Sequence, residues 1–289
     1  MGNDSINILM SVNKRFLKYS EEMIFSLLHY SSRPINLYMM YQEKELNKDD
    51  LAYLSEFVDK TGKGKFIPLK FDTSKLSGFR TSGEDGYFFS IETYSRLFCG
   101  FYLPSDVEKI LYLDADMVCA GDIAELYDIS LDGHIWAGAI DGGATIDDLN
   151  RLGLPETHKY VNAGVAIINV KKLRECFTES DIINPIVANH EKWIYLDQDF
   201  VNTVFHGDIK LISNKYNFLT KISTYEDLEM KPIIFHYAGS VKPWDDNVTR
   251  FYIEFVEPYY EALRLQGGEK QEKLDYLLEK HKEFGYKNK

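Results

Sequence analysis

Cysteine is scarce in this sequence, and the positions of the few cysteines exclude the sites that this residue usually builds. Among 289 residues there are three, namely Cys99, Cys119 and Cys176. They are far apart and never form a Cys-x-x-Cys pair, so neither a disulfide framework nor a zinc knuckle is indicated. Free thiols fit a reducing compartment, and we expect a cytoplasmic protein.

Long apolar runs are lacking as well. No stretch approaches the roughly 18 consecutive apolar residues that a membrane-spanning helix requires. The polar start MGNDS leads directly into a short apolar segment, INILMSV, which is too short for the hydrophobic region of a signal peptide. We therefore expect no transmembrane segment and no secretion by the usual route.

Positive charge is in deficit, with 33 Lys and Arg against 45 Asp and Glu and a formal net charge of −12 at pH 7. Nucleic acids are held by dense patches of Lys and Arg, which this sequence does not contain, so we expect no nucleic-acid partner. A phosphate-bearing ligand would depend on a metal ion, a helix N-terminus or a few local cations.

What is present is an ordinary globular composition with 45% hydrophobic residues. Asn47 is a plausible N-cap and Gly62 a plausible stop for the second of two early amphipathic stretches. The early pattern predicts strands at residues 6–12, 35–41 and 65–71, with helices at residues 20–31 and 48–61 between them. This alternation predicts a parallel sheet covered on both faces, within one main α/β domain.

The later segments continue the alternation. Residues 73–90 are rich in Ser, Gly and Asp without a clear period, which predicts a surface loop near a site. Residues 247–265 predict a late helix that is interrupted near Pro258. Between them the pattern predicts helices at residues 91–103, 171–177, 181–190 and 197–206, and strands at residues 109–118, 133–143, 159–170 and 231–240.

Two aspartates stand at the end of the apolar run ILYL. Residues i and i+2 of a strand point to the same face, so Asp114 and Asp116 are expected to converge where ligands bind in an open parallel sheet. Carboxylate oxygens suit Mg²⁺ or Mn²⁺. A second Asp-x-Asp triplet occurs at residues 197–199, so the triplet by itself is more typical of a solvated strand end or a helix cap than of a metal site.

Five pieces of the sequence, taken in order, resemble the retaining glycosyltransferases of family eight, which include glycogenin and bacterial lipopolysaccharide galactosyltransferases. They are TYSRLF, ILYLDADMV followed by DIAELY, YVNAGVAIINV, LDQDFVN and HYAGSVKPW. The resemblance implies a GT-A fold, a Rossmann-like mixed sheet flanked by helices, over residues 1–266. Its nucleotide-binding half would cover about residues 1–118 and its acceptor half residues 119–266, followed by an amphipathic tail at residues 267–289.

The resemblance also implies a metal site. Asp114, Asp116 and His236 would hold Mn²⁺, with Mg²⁺ as an alternative, against the diphosphate of a UDP-sugar. Gly239 and Lys242 would grip the phosphates. Without the surrounding HxxGxxKPW pattern, a histidine such as His236 is more often a core residue with satisfied hydrogen bonds than a metal ligand.

Further residues match the family positions that hold the donor. These are Arg96, Ala115, Asn162, Ala163, Gly164, Asp197 and Gln198 for the sugar side. Without the resemblance, Arg96 fits an exposed helix cation and Asn162 a turn. Gln198 and Asp197 are the candidate catalytic residues. Because an amide is a poor nucleophile, a front-face displacement with a UDP oxygen as base is favoured over a covalent glycosyl intermediate.

The stretch after the first strand departs from the family. Many relatives carry an acidic segment there that reads the uracil, whereas this chain has Ser11, then Asn13, then Phe16. The Asn13 carbonyl can still accept from a uracil N–H and Phe16 can still stack on the base, so uridine remains the expected nucleoside. Asp141 is either an acceptor-side group or a simple strand-end carboxylate.

The sequence thus favours a Mn²⁺-dependent retaining transferase that moves glucose or galactose from UDP to a hydroxyl of a glycan, a lipid-linked sugar or a protein. A nucleotidyltransferase and a non-catalytic nucleotide-sugar binding protein are the alternatives. The tail places Leu274, Leu277, Leu278 and Phe284 near one helical face. That face is expected to contact the chain's own domain, a second subunit or a membrane surface.

Overall fold

Seven strands form the mixed sheet that positions the rest of the chain in this computed structural model, which describes residues 4–76, 79, 81 and 90–288. The strands of the large sheet are β1 (Ile6–Ser11), β2 (Ile35–Tyr41), β3 (Gly64–Lys70), β4 (Lys109–Leu113), β6 (Trp136–Ile140), β7 (Val161–Asn169) and β8 (Ile209–Ile212). A smaller sheet contains β5 (Met117–Cys119), β9 (Phe218–Leu219) and β10 (Ile234–His236).

The order of the large sheet is β3-β2-β1-β4-β7-β6-β8. Strands β1 to β4 are parallel, as predicted from the early alternation, and β7 runs against both of its neighbours. The chain winds outward from β1 to β3 and then returns to place β4 on the other side of β1. That change of direction makes a crevice beside the carboxyl ends of β1 and β4, and the reversed β7 begins at the same edge.

Helices cover both faces of the large sheet. Consecutive residues of its central strands are apolar, so each face of the sheet presents apolar side chains. Ile8 and Leu111 face one core, whereas Leu9 and Ile110 face the other. The helices are α1 (Lys14–Tyr30), α2 (Lys48–Asp59), α3 (Ser95–Tyr102), α4 (Ala124–Asp128), α5 (Ile146–Leu152), α6 (Val170–Cys176), α7 (Glu179–Ala188), α8 (Asp197–Val204), α9 (Ile253–Gln266) and α10 (Glu269–Phe284). Helices α1 and α2 contribute to the first core, and α3, α6, α7 and α8 to the second.

The small sheet brings two distant parts of the chain together. Strand β10 pairs antiparallel with β5, so that His236 lies opposite Met117. The N–H of Tyr237 donates to the carbonyl of Asp116 over 3.0 Å. The residue that follows the second aspartate is therefore held in register with the histidine.

Most helix predictions are confirmed, with two corrections. Asn47 caps α2 in a reciprocal capping box with Asp50, as expected for its type. Helix α1 begins at Lys14 and not near residue 20, because the Asn13 side chain accepts the N–H of Phe16 and caps it earlier. The interruption near Pro258 is wrong, since α9 is continuous from Ile253 to Gln266.

Pro258 is tolerated in α9 because a proline within a helix removes a single ladder donor, and buried neighbours can offset that loss. Phe255, Tyr259 and Tyr260 around it are almost completely buried. Residues 77, 78, 80 and 82–89 of the predicted surface loop lie outside the described residues. Among the described residues, no helix is both long and apolar enough to cross a membrane.

Helix α10 packs on the chain's own domain. Leu274 and Leu277 are buried in a third apolar core that α9 shares. Lys270 and Lys273 approach the buried carboxylate of Glu22 in α1, with N–O distances of 2.8 and 3.0 Å. Phe284, which the sequence places near the same helical face, is 44% exposed.

Replacing Leu277 with alanine should lower the free energy of unfolding by about 2–5 kcal/mol, because it removes a buried side chain and leaves a cavity. Leu265→Ala is the matched control, since Leu265 on α9 is 41% exposed. Urea unfolding of the two variants measures the difference. Equal effects of the two substitutions would show that α10 does not stabilise the fold through this contact.

Candidate active site

The two aspartates lie in a bend that joins β4 to β5, so one strand does not carry them both. Asp114 follows the last residue of β4, and its N–H donates to the carbonyl of Gly164 over 2.9 Å. Asp116 precedes Met117, the first residue of β5. The predicted convergence of the pair is present, but it comes from the bend between two sheets and not from strand periodicity.

A third side chain completes a group that fits a divalent cation. His236 Nε2 lies 3.4 Å from Asp116 Oδ1 and 3.9 Å from Asp114 Oδ2. Ligand atoms of these three residues all lie within 4.8 Å of one another. Two carboxylates and an imidazole are donors that Mn²⁺ and Mg²⁺ accept, so the residues present fit the ion that the sequence implies.

Lys242 neutralises one member of this group. Its ammonium lies 2.5 Å from Asp116 Oδ2 and donates to the carbonyl of Tyr237 over 2.7 Å. Burial acts to raise the pKa of Asp116, but the ammonium of Lys242 outweighs it and holds that pKa well below its usual range. Asp116 is therefore a carboxylate throughout the neutral range.

Arg96 serves the other aspartate and is fully inside the protein. Its guanidinium donates to Asp114 Oδ1 over 2.8 Å, lies 3.1 Å from Asp197 Oδ2, and stands 4.1 Å above the ring of Tyr112. Burial alone would lower the pKa of Arg96, but the two carboxylates outweigh it and raise that pKa. The alternative that Arg96 is an exposed helix cation is wrong.

Asp197 is a buried carboxyl whose two oxygens differ in their partners. Thr93 donates to its Oδ1 over 3.1 Å, whereas Oδ2 has no hydrogen-bond partner among the described residues. Burial raises the pKa of Asp197 to about 6, with Arg96 lowering it and Asp114 raising it further. The residue before it, Leu196, has φ 51° and ψ −114°, a strained conformation for a non-glycine residue.

Amide groups and one more carboxylate form a cluster at the start of β7. Gln198 Oε1 accepts from Asn162 Nδ2 over 2.9 Å and from the N–H of Ala163 over 3.2 Å. Asp141 Oδ2 accepts from Gln198 Nε2 and from Asn162 Nδ2, over 3.1 and 3.2 Å. Asp141 is thus joined to the predicted sugar-side residues.

Residue 164 has no room for a side chain, because other site residues lie close to the Cα of Gly164. A Cβ at this position would collide with His236 Cε1 and lie 2.7 Å from Asp114 Oδ2. Ala115 between the aspartates is buried. Gly239 has a φ of +108°, a conformation that favours glycine, and this allows the turn between His236 and Lys242.

The predicted uridine-binding residues lie at the carboxyl end of β1, beside β4. The hydroxyl of Ser11 donates to the carbonyl of Met40 over 2.9 Å. Asn13 caps α1, and Phe16 packs edge-on against Tyr19 at a ring distance of 6.3 Å. The three residues therefore lie at the end of the strand that pairs with β4, which leads to Asp114.

Asn217 is a site residue that the sequence did not predict. It is completely buried in the turn before β9, and its Oδ1 lies 2.8 Å from His236 Nδ1. The signal available was a polar residue between aromatic ones in KYNFL, which is too common to single out. Asp199 accepts the N–H of Tyr195 and also pairs with Arg151 at 2.9 Å.

Open α/β sheets bind their ligands at such a change of direction, and a group of carboxylates and an imidazole there can hold a catalytic cation. The chain belongs to glycosyl transferase family 8, whose profile matches residues 7–248. Family membership favours a glycosyltransferase over the nucleotidyltransferase alternative.

Similar proteins agree with this family. A putative glycosyltransferase of Haemophilus influenzae is 27% identical over 254 residues, which is 84% of this chain and 74% of that protein. The lipopolysaccharide 1,2-glucosyltransferase of Escherichia coli K12 is 29% identical over 163 residues, 52% of this chain and 48% of the enzyme. That match therefore spans about half of the E. coli enzyme.

A solved structure confirms the fold. The galactosyltransferase LgtC, crystallised with donor and acceptor sugar analogues, superposes with a TM-score of 0.73 at 22% identity. The match covers 88% of this chain and 95% of LgtC. The predicted GT-A type fold, a mixed sheet flanked by helices in one main domain, is confirmed.

Replacing Gly164 with alanine should destabilise the protein by about 1–3 kcal/mol, because the added methyl group must displace His236 or Asp114. Gly142→Ala is the matched control, since the nearest atom to its added Cβ is Ile222 Cδ1 at 3.4 Å. Thermal or urea unfolding compares the two. An unchanged stability of the Gly164 variant would contradict the close approach.

The raised pKa of Asp197 predicts a pH dependence of stability. A carboxyl whose pKa rises from 3.8 to about 6 on folding binds its proton more tightly in the folded state. Its contribution is therefore fully present below about pH 4 and is lost as the pH rises through about 6. The unfolding free energy of the wild type should therefore fall relative to that of Asp197→Asn as the pH rises from about 4 to above about 6. A constant difference would contradict the assignment.

Proposed function

We propose that this protein is a retaining hexosyltransferase that moves glucose or galactose from a UDP-sugar to a hydroxyl acceptor with the help of Mn²⁺ or Mg²⁺. The observation that carries the proposal is the convergence of Asp114, Asp116 and His236 beside Lys242. The family, the printed names of a glucosyltransferase relative and of the structurally similar galactosyltransferase, and this group of side chains support it together.

Asp114, Asp116 and His236 are the residues that would hold the cation. A divalent cation bound there supplies positive charge to the diphosphate as the sugar departs. Lys242 would add a point charge to the same oxygens, and the turn at Gly239 keeps the backbone close to them. Arg96 holds Asp114 Oδ1 in place, so that the other carboxylate oxygen stays directed at the site.

On the sugar side, Asn162 and Gln198 present amide groups fixed by each other and by Asp141. An amide is a poor nucleophile, so we propose a front-face displacement in which Gln198 stabilises the sugar cation and a UDP oxygen takes the acceptor proton. Asp197 would hold Arg96 and carry negative charge close to the reacting carbon. The buried surroundings of Asp197 favour such a structural and electrostatic role over a covalent one.

Ser11, Asn13 and Phe16 would bind the uridine. The Asn13 carbonyl already accepts one hydrogen bond from the helix, and its second lone pair and amide N–H groups remain for the base. The segment from residue 144 to residue 159, which includes α5, would face the acceptor. A glycan, a lipid-linked sugar or a protein hydroxyl are the acceptors we propose, in line with the lipopolysaccharide enzymes among the relatives.

Purified protein should release UDP slowly from UDP-glucose or UDP-galactose in the presence of Mn²⁺, and release should stop in EDTA. Asp116→Asn should lower the rate about a hundredfold or more, because it removes the charge that the cation and Lys242 both require. Asp132→Asn is the control, since this aspartate is exposed and pairs with Lys210 outside the site.

A thermal-shift series of UDP, other nucleoside diphosphates and UDP-sugars, each with and without Mn²⁺, separates binding from turnover. A ligand at 100 times its dissociation constant adds about 2.7 kcal/mol to the stability, so a specific nucleotide raises the melting temperature visibly. Turnover that persists in EDTA, or in the Asp116 variant, would overturn the metal role.

A further inference from the structure

A line of hydrogen bonds runs from the backbone of β7 to the histidine of the candidate metal site. It begins at the N–H of Gly164, which is a donor by its chemistry and points at Asn162 Oδ1 over 2.9 Å. That contact fixes which end of the Asn162 amide is oxygen. The Asn162 nitrogen therefore faces Gln198 and Asp141, both of which offer acceptor oxygens to it.

The next link fixes a second amide. Asn217 Nδ2 donates to Asn162 Oδ1 over 2.9 Å. The oxygen of Asn217 must then be the atom that lies 2.8 Å from His236 Nδ1. Because a carbonyl oxygen cannot donate, the proton in this contact belongs to His236 Nδ1.

This arrangement determines whether the His236 Nε2 that faces the aspartates carries a proton. With its proton on Nδ1, a neutral imidazole presents the lone pair of Nε2 towards Asp116 Oδ1 and Asp114 Oδ2. A lone pair beside two carboxylates is repulsive unless a cation lies among them. The opposite tautomer would point an N–H into the same place and donate it to Asp116.

We propose that Asn217 is a positioning residue that sets the Nδ1–H tautomer of His236 and so leaves Nε2 free to bind a divalent cation. The direction of the whole line is fixed by one backbone donor, the N–H of Gly164. The consequence for metal binding rests on the proposed function, whereas the tautomer does not. Histidines that bind metals commonly donate a hydrogen bond from the N–H of their other ring nitrogen, usually to a carboxylate, a backbone carbonyl or water. Here the acceptor is a side-chain amide oxygen.

A purely structural role of Asn217 is the competing explanation, because a buried amide also satisfies polar neighbours. Thr220 supplies a matched control. It is almost fully buried and its hydroxyl donates to the carbonyl of His236 over 3.0 Å, so Thr220→Val removes a hydrogen bond to the backbone of the same histidine and leaves its ring untouched.

The first measurement is the tautomer of the neutral ring in metal-free protein, read from the ¹⁵N shifts of His236 at a pH above which those shifts stop changing. His236→Asn identifies the signal by its loss. Wild type, Thr220→Val and Asn217→Asp should carry the proton on Nδ1, since an aspartate keeps the acceptor. Asn217→Leu, which has a similar shape and no acceptor, should move the proton to Nε2.

The second measurement is Mn²⁺ affinity by electron paramagnetic resonance titration. Asn217→Leu should bind Mn²⁺ about 10–100-fold more weakly than wild type, the usual cost of losing such a partner. Thr220→Val should bind it as wild type does, and Asn217→Asp should bind it at least as well, because its added charge favours a cation.

A wild-type histidine with its proton on Nε2 would overturn the proposal, and that test holds even if the Asn217→Leu variant fails to fold. An Asn217→Leu variant that keeps the Nδ1–H tautomer, or an equal loss of Mn²⁺ affinity in Thr220→Val, would overturn it too. A wild type with the expected tautomer that binds no Mn²⁺ would support the role of Asn217 and overturn the proposed function instead.

Discussion

Crowded negative charge at the end of β4 is the constraint on which the rest of the site depends. Asp114, Asp116 and Asp197 converge there, and like charges in a partly dry place destabilise the fold unless each has a partner. Arg96 lies between two of them and Lys242 meets the third. The cations come from α3 and from the turn after β10, so the charge balance joins the two sheets.

The same balance explains why the site is built from so many separate elements. A buried arginine needs several acceptors, and Arg96 finds them in Asp114, Thr93 and the carbonyl of Ala163. Lys242 is in turn fixed through Asp245, which accepts its backbone N–H while its own carbonyl accepts from His281 on α10. The last helix therefore supports the turn that carries the lysine.

The sequence predicts those parts of the fold that depend on local patterns. The parallel strands β1 to β3 and the cap at Asn47 follow from residue types at short spacing, whereas the convergence of Asp114 and Asp116 depends on the bend between the two sheets. The start of α1 was predicted too late, because the apolar pattern is clear only from about residue 20, whereas the helix begins where Asn13 caps it. The continuous α9 was missed because burial of the surrounding aromatic residues outweighs the loss of one donor at Pro258.

The site was harder to predict where it depends on distant contacts. His236 was found through the family resemblance, since nothing near residue 236 reveals that β10 pairs with β5. Asn217 was not found, because its role exists only once β9, β10 and the start of β7 meet. Arg96 had a local pattern that fits the surface, and only its packing over Tyr112 places it inside.

The connection between β6 and β7 has both of its ends tied together at the rim of the crevice, where the N–H of Asp141 donates to the carbonyl of Tyr160 over 2.9 Å. Doubling the length of a flexible loop whose ends are already joined costs only about 0.6 kcal/mol. Length can therefore be added within this stretch at a small entropic cost while its two ends stay paired, provided that Arg151 on α5 keeps its contact with the buried Asp199. If it faces the acceptor, as we propose, new glycan specificities can arise here by insertion without disturbing the donor half.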